Sequence, residues 1–406
     1  MRKEKKYLDL SKNAFVFGFV SMLNDFSSEI TVRTLPLFLA NVLGVKTSII
    51  GLIEGIADTT ATLLKIFSGY ISDKIGKRKN LVTIGYGLST LSKPLLYFAN
   101  SWFFVLIIRF MDRVGKGIRT SPKDALISES SSKINRGKSF GFNRAADQLG
   151  AVLGLLGASL LLYLTSKGIG TMTANIYKKL VFISTIPALF SVLLIILFIK
   201  DVKKPEGKST IMPSFRLKDF DKSFIYFLVI LLIFTLGNSS DAFLILRAQS
   251  LGMSIFNIFI MLAMFNFVTS VVSFISGSLS DKIGRKKLII IGWVIYSLIY
   301  LGFAFAKNST HIFILYVLYG IYYGCTGGVS KAFIADIVPS SKRGTAYGLY
   351  NGAIGIMAFP ASFLAGLIWQ YINISATFIF GSILAIIASL MMIKLSKRDY
   401  IVQDCN

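Results

Sequence analysis

One polar turn occurs twice, and it limits what the chain can fold into more than any other feature. Gly69-Tyr-Ile-Ser-Asp73-Lys-Ile-Gly76-Lys-Arg-Lys79 returns 208 residues later (Asp73 to Asp281) as Gly277-Ser-Leu-Ser-Asp281-Lys-Ile-Gly284-Arg-Lys-Lys287. Each copy closes one apolar stretch and opens the next. A turn duplicated at half the length of a 406-residue chain means two similar halves. Those halves are apolar: 54% of residues are hydrophobic and only 16% charged. A water-soluble domain is nearer a quarter charged, so the class is a membrane protein.

The net charge of +24 does not indicate a nucleic-acid partner. Lysines and arginines fall at the ends of apolar runs and form no single patch, as membrane topology requires. Two cysteines, Cys325 and Cys405, give no disulfide framework, and His311 is the only histidine. No metal, cofactor or enzymatic reaction is expected, because neither a nucleophile–base pair nor a ligand cluster is found. The Gly-rich Lys-Ser/Thr loop of nucleotide-driven pumps is also missing.

Twelve spans are read, each near the about 20 residues a bilayer needs. They are 12–41, 48–71, 81–99, 102–121, 138–165 and 179–199, then 223–250, 254–280, 288–306, 312–337, 345–368 and 373–393. The expected domains are a first six-helix bundle (1–199), a cytoplasmic central loop (200–222) and a second six-helix bundle with a cytoplasmic tail (223–406). The basic start of the chain and the apolar run 14–23 read as a retained first helix. One set of loops carries only Lys46, Lys167, Lys178, Lys179 and Lys307, so the opposite side, with both termini, is cytoplasmic. A multi-pass cell-membrane protein, acting as a monomer, is the expectation.

The repetition goes beyond the turn. Arg136-Gly-Lys-Ser-Phe-Gly141 matches Arg343-Gly-Thr-Ala-Tyr-Gly348, and Glu129 matches Asp336. Six spans per half start both halves on the same side, so a pseudo-two-fold axis along the membrane normal relates them. With these motifs the chain resembles the major facilitator superfamily (MFS) of secondary transporters, whose signature is a Gly-x-x-x-Asp-[Arg/Lys]-x-Gly-[Arg/Lys]-[Arg/Lys] turn. The resemblance covers essentially the whole chain. It is similar to archaeal and bacterial permeases without assigned substrate, also through Asp112-Arg-Val-Gly-Lys-Gly-Ile-Arg-Thr-Ser-Pro-Lys-Asp124. It implies an all-α fold of twelve transmembrane helices. It also implies a gating role for Gly69, Asp73, Gly76, Arg78, Gly277, Asp281, Gly284 and Arg285. By that resemblance the aspartates latch the cytoplasmic side of the bundles. The chain departs from the family's antiporter pattern: Gly150, Gly154 and Gly157 have no accompanying Gly-Pro pair.

Charges inside the spans carry the functional expectation, since each costs about 3 kcal/mol or more unless it faces a cavity or partner. Asp25, Glu29 and Arg33 share roughly 80° of the first helix. Glu54, Asp58 and Lys65 lie within roughly 40° of the second. Arg109, Asp112, Arg113 and Lys116 form a stripe on the fourth, continued by Arg119 and Lys123, and the fifth has Arg144 and Asp147. Helices 6, 9 and 12 have no ionisable interior residue, and helix 3 has only Lys93. These are expected to be lipid-facing supports. A helix break is expected near Thr120, with Ser121-Pro122 restarting a short helix.

The second half puts Tyr316, Tyr319, Tyr323 and Asn351 where the first has charges, and adds Asn238, Asp241 and Arg247. The expected function is a secondary active transporter working by alternating access between the halves. Protons would couple through Asp25, Glu29, Glu54, Asp58 and Asp112. Arg109 and Arg113 would meet an anionic or zwitterionic small molecule. The alternatives are an efflux permease for amphipathic cations and a non-transporting sensor or scaffold.

Overall fold

The computed structural model describes residues 10–75, 77–131, 136–166, 172–202, 220–339 and 342–395. Within the helices, nothing further is described for the side chains of residues 70, 73–75, 136–138, 165–166, 277–278, 281 and 343–344.

The described residues form thirteen α-helices. They are α1 (Lys12–Asn41), α2 (Thr47–Ile75), α3 (Arg78–Leu95), α4 (Trp102–Ser130), α5 (Arg136–Ser166) and α6 (Ala174–Phe198). The rest are α7 (Lys222–Gly237), α8 (Ala242–Ser250), α9 (Ile255–Ile283), α10 (Arg285–Phe305), α11 (Ser309–Ile337), α12 (Arg343–Tyr371) and α13 (Ile374–Lys394). Helices α7 and α8 form one span, Lys222–Ser250, so the spans number twelve. Eight of these are long and apolar enough to cross a bilayer on composition alone. The other four are α1 to α4, where most buried charge is carried. All-helical spanning is what lipid demands, because no water is available to satisfy free backbone groups.

The chain divides into two compact units, residues 1–45 with 60–212, and residues 46–59 with 213–406. In the first unit, α1, α3, α4 and α6 enclose an apolar core of Phe17, Val20, Val82, Tyr86, Leu126 and Ile195. Two seams bring backbones unusually close. A Cβ at Gly115 of α4 would lie 2.6 Å from Ser89 Oγ and 2.8 Å from Ser89 N of α3. A Cβ at Gly150 or Gly154 of α5 would collide with the carbonyls of Met22 and Phe26 on α1. Close approach at small residues is how helices associate where the hydrophobic effect is absent. Leu189, Phe190, Leu193 and Leu197 of α6 are exposed, as are Ile383, Ile386 and Leu390 of α13, in keeping with lipid-facing supports.

In the second unit, the first part of α2 packs on α12. Ser48 Oγ donates to Gln370 Oε1 at 2.6 Å and Thr59 Oγ1 to Gly355 O at 2.6 Å. The span 223–250, expected as one helix, is broken between Gly237 and Ala242. The freed backbone groups are taken up by side chains, as membrane depth requires. Tyr296 Oη donates to Gly237 O at 2.9 Å, and Ser240 N donates to Ser362 Oγ at 3.2 Å.

The opposite correction holds in α4. The break expected near Thr120 is absent, and the helix runs unbroken from Trp102 to Ser130 through a buried Pro122. Tertiary ties hold it. Ser121 Oγ donates to Lys65 O on α2 at 2.7 Å, and Ser68 Oγ of α2 donates to Gly117 O at 2.8 Å. Proline is tolerated in such helices when neighbouring groups take over the lost bonding.

Candidate functional site

The first unit holds a polar interior built from α1, α3, α4 and α5. On α4 the stripe read from sequence is real: Arg109, Arg113 and Arg119 are buried, while Asp112, Lys116 and Lys123 are half-buried. Asp112 Oδ2 lies 3.6 Å from Arg109 Nη1 and 3.7 Å from Arg113 Nε. Both separations exceed a normal hydrogen bond, so the carboxylate is shared between two guanidiniums rather than locked to one. On α1, Glu29 and Arg33 pair at 3.0 Å, one turn apart. Asp25 accepts from Asn24 Nδ2 at 3.1 Å and lies within electrostatic range of Asp147, Lys116 and Lys123. These residues of α1, α4 and α5 are thus brought together. Arg144, expected with them, is exposed.

Three cations take partners the sequence does not announce. Lys93, expected on a lipid-facing support, is buried at 3% exposure, and its Nζ donates to Ser27 Oγ at 2.6 Å and Ser28 Oγ at 3.2 Å. A lone charge on an otherwise apolar helix forms no stripe, so periodicity could not place it. Arg119 stacks over the Tyr86 ring at 4.2 Å from its centre, a desolvated cation–π contact. Lys123 Nζ donates to Ser21 Oγ at 3.0 Å and Asn143 Oδ1 at 3.1 Å.

The charges of α2 are divided between the units. Glu54, buried, and Asp58, half-buried, belong with the second, and Lys65 with the first.

The second unit gathers its polar groups around the break between α7 and α8. Asn238 Nδ2 donates to Tyr322 Oη at 3.2 Å, and Tyr319 Oη donates to Asn238 Oδ1 at 3.4 Å. Around them Tyr296, Tyr300, Tyr316 and Tyr319 are fully buried and ring-packed. Tyr323 is half-buried, edge-on to Phe265 and Tyr319. Asp241 and Asn351 are half-buried. Sequence reasoning misses Tyr296, Tyr300 and Tyr322. The run Gly237-Asn-Ser-Ser-Asp241 combines C-cap and N-cap residues and could have revealed the break.

Arg247 has a different use from the one expected. It is buried, with Nε donating to Phe303 O at 3.2 Å and Nη2 to Ala306 O at 2.9 Å. A guanidinium so placed satisfies carbonyls at the C-terminal end of α10. Both contacts serve that helix end.

The duplicated turns also differ in detail. Helix α2 ends at Ile75 and α3 starts at Arg78, whereas α9 ends at Ile283 and α10 starts at Arg285. The second copy thus makes the turn with one residue, Gly284, whose φ of +93° only glycine adopts readily. This shortening aligns Arg78 with Arg285, and both make equivalent ion pairs. Arg78 Nη1 meets Glu129 Oε2 of α4 at 2.5 Å, and Arg285 Nη1 meets Asp336 Oδ1 of α11. Each pair therefore ties helices of its own unit. Gly69 faces Ser121, where an added Cβ would lie 3.4 Å from Ser121 Cβ. Gly76 and the side chains of Asp73 and Asp281 lie outside the described residues, as does the surrounding of Gly277.

Residues 17–254 and 223–403 each match the family model of the Major Facilitator Superfamily. An uncharacterised MFS-type transporter of Methanocaldococcus jannaschii is 38% identical over 394 residues, covering 95% of both chains. A class H tetracycline resistance protein of Pasteurella multocida is 30% identical over 149 residues, 36% of this chain and 37% of its own. Among solved structures, a mutant of the nucleoside transporter NupG superposes with a TM-score of 0.81 at 11% identity, covering 95% of this chain and all 100% of that one. Twelve helical spans, a doubled signature turn and these matches over nearly the whole chain have one reading: the protein is a multi-pass membrane protein of the Major Facilitator Superfamily of transporters, and not an enzyme.

Proposed function

We propose that the chain is a proton-coupled secondary active transporter. It moves an anionic or zwitterionic small molecule across the cell membrane by alternating access, as a monomer with both termini cytoplasmic. The carrying observation is Asp112 shared at 3.6 and 3.7 Å between the buried Arg109 and Arg113. A loosely shared carboxylate can be displaced by an incoming anion, and a guanidinium fork suits a carboxylate or phosphate. The displaced Asp112, with Asp25 and Glu29 in the same unit, then offers a place for a proton. Glu54 and Asp58 add further carboxylates, Asn351 and Tyr323 polar wall, and Asp241 a charge at the helix break. The turns carrying Gly69, Asp73, Gly76, Gly277, Asp281 and Gly284 serve gating in this reading.

The test uses protein reconstituted in sealed vesicles and a panel of labelled carboxylates, phosphate esters and amino acids. Uptake of at least one anionic or zwitterionic compound is expected, driven by a pH gradient and abolished by an uncoupler. Neutralising Arg109 and Arg113 together is expected to remove binding of that compound. Flux indifferent to the gradient refutes the coupling, and binding that survives the double substitution refutes the anion contacts.

A second reading has its own support. Similarities to a tetracycline resistance protein and to a multi-drug resistance efflux pump, each over about a third of the chain, support drug efflux, and Asp241 beside the tyrosine cluster suits an amphipathic cation. Tyrosine faces attract such cations. Resistance gained by cells expressing the protein, lost on Asp241→Asn, would decide for it.

A further inference from the structure

Lys93 sits in the first unit with a charge that its surroundings do not match. An ammonium has three donors and no acceptor. Two of its hydrogen bonds go to the neutral hydroxyls of Ser27 and Ser28. No carboxylate lies within ion-pair distance of it among the described residues. A buried cation with only neutral acceptors is costly unless an anion joins it or it gives up its proton, and an anion is the remedy that keeps both serine hydrogen bonds charge-assisted.

A partly enclosed space of about 20 Å³ lies at this point, bordered by Ser28, Thr31, Ser92, Lys93, Arg109 and Asp112. That is room for one particle the size of a water molecule. The hydroxyls around it are not equivalent. Thr31 Oγ1 donates to the Ser27 and Ser28 carbonyls, and Ser92 Oγ to Ser89 O, so both protons are spent. Ser28 Oγ accepts from Lys93 and keeps its own proton for another acceptor. Asp112, on the α4 wall, is already divided between two guanidiniums. The cavity therefore offers an ammonium, a hydroxyl and a guanidinium, in an interior where cations outnumber carboxylates.

We propose that this cavity binds one monatomic anion, chloride in ordinary media, held by the Lys93 ammonium and the Ser28 hydroxyl with Arg109 on its α4 side. The ion neutralises part of the positive stripe and joins α1, α3 and α4 through a common ligand. Water is the rival occupant. It fills the hydrogen bonds but leaves the charge unbalanced. The site borders Arg109 and Asp112, which the proposed cargo contacts also use, but it needs no transport cycle, so a halide effect on Tm tests it apart from the proposed coupling.

Purified full-length protein in detergent is melted in sodium chloride, sodium bromide and sodium gluconate at matched ionic strength. Halides are expected to raise Tm by a few degrees over gluconate, the gain growing with the logarithm of halide concentration past saturation. Lys93→Met is expected to remove the difference and Ser28→Ala to reduce it. If Lys93→Met does not fold, Ser28→Ala decides. Crystals grown in bromide are expected to show an anomalous peak inside the cavity. Coinciding halide and gluconate curves for the wild type, full halide dependence in the substituted proteins, or a cavity without bromide would each overturn the site.

Discussion

Single side chains show how far residue type alone can mislead. Arg247 and Arg113 are both buried arginines in spans of this protein, yet one closes a helix end and the other shares a carboxylate. Arg247→Ala leaves the Phe303 and Ala306 carbonyls without these donors. A loss of about 1.5–3 kcal/mol is expected, the range for hydrogen bonds to a charged group. It should be measured as a lower Tm in detergent, with cargo affinity of the folded fraction unchanged. If affinity falls while Tm holds, Arg247 belongs to the solute path after all. The residue-level lesson from sequence is mixed. The α4 stripe was legible because charge recurs there at helical spacing. Lys93 was not, because one buried cation has no period, and its partners are serines on another helix.

At the level of elements, helix contacts depend on where side chains are missing. Gly115 on α4 faces Ser89 on α3 with no room for a Cβ, whereas Gly87 on α3 has open space around its own. Gly115→Val is expected to cost about 1–3 kcal/mol or more through overpacking. Gly87→Ala should gain about 0.4–1 kcal/mol by restricting the unfolded chain. Thermal unfolding of the two variants side by side checks both signs, and equal destabilisation would refute the seam. Element ends were mostly legible: α1 runs from Lys12 to Asn41, as its apolar run predicts. Two interruptions were not. Ser121-Pro122 looks like a break and is none, because Ser121 is tied to Lys65 across the helix pair. Asn238 to Asp241 looks like polar relief inside one span and is a real break, because Tyr296 takes the Gly237 carbonyl. At Ser121-Pro122 a distant residue outweighs local preference, whereas at Asn238 to Asp241 the cap residues already point to the break and the distant tyrosine completes it.

For the whole molecule, the doubled turn leaves a measurable imprint in two equivalent ion pairs. Arg78 and Glu129 are 10% and 30% exposed, against 28% and 45% for Arg285 and Asp336. Screening by solvent is therefore weaker in the first pair. Double-mutant cycles with charge-swapped residues should give a coupling of about 1–3 kcal/mol for Arg78 with Glu129. For Arg285 with Asp336, less than about 1 kcal/mol is expected. Equal couplings would mean that the duplicated geometry, and not burial, sets their strength, and the reverse order would refute the burial argument. The repeat itself was legible from spacing alone, and so was the alignment of Glu129 with Asp336. That the arginines align by a different offset was not, because the lost residue is recognised only once Gly284 is seen making the turn alone.

The stripe on α4 also has a bearing on biogenesis. Arg109, Asp112, Arg113 and Lys116 together impose on the order of 10 kcal/mol against entry of that segment alone into lipid. Emerging from the ribosome, it cannot partition by its own hydrophobicity as α6 or α13 can. α1 and α3, made before it, have to stay at the insertion machinery until it emerges, and the three enter as a cluster in which the Ser89 hydroxyl and the Tyr86 ring of α3 meet α4. The charged stripe on α4 thereby dictates how this chain can be assembled in its membrane.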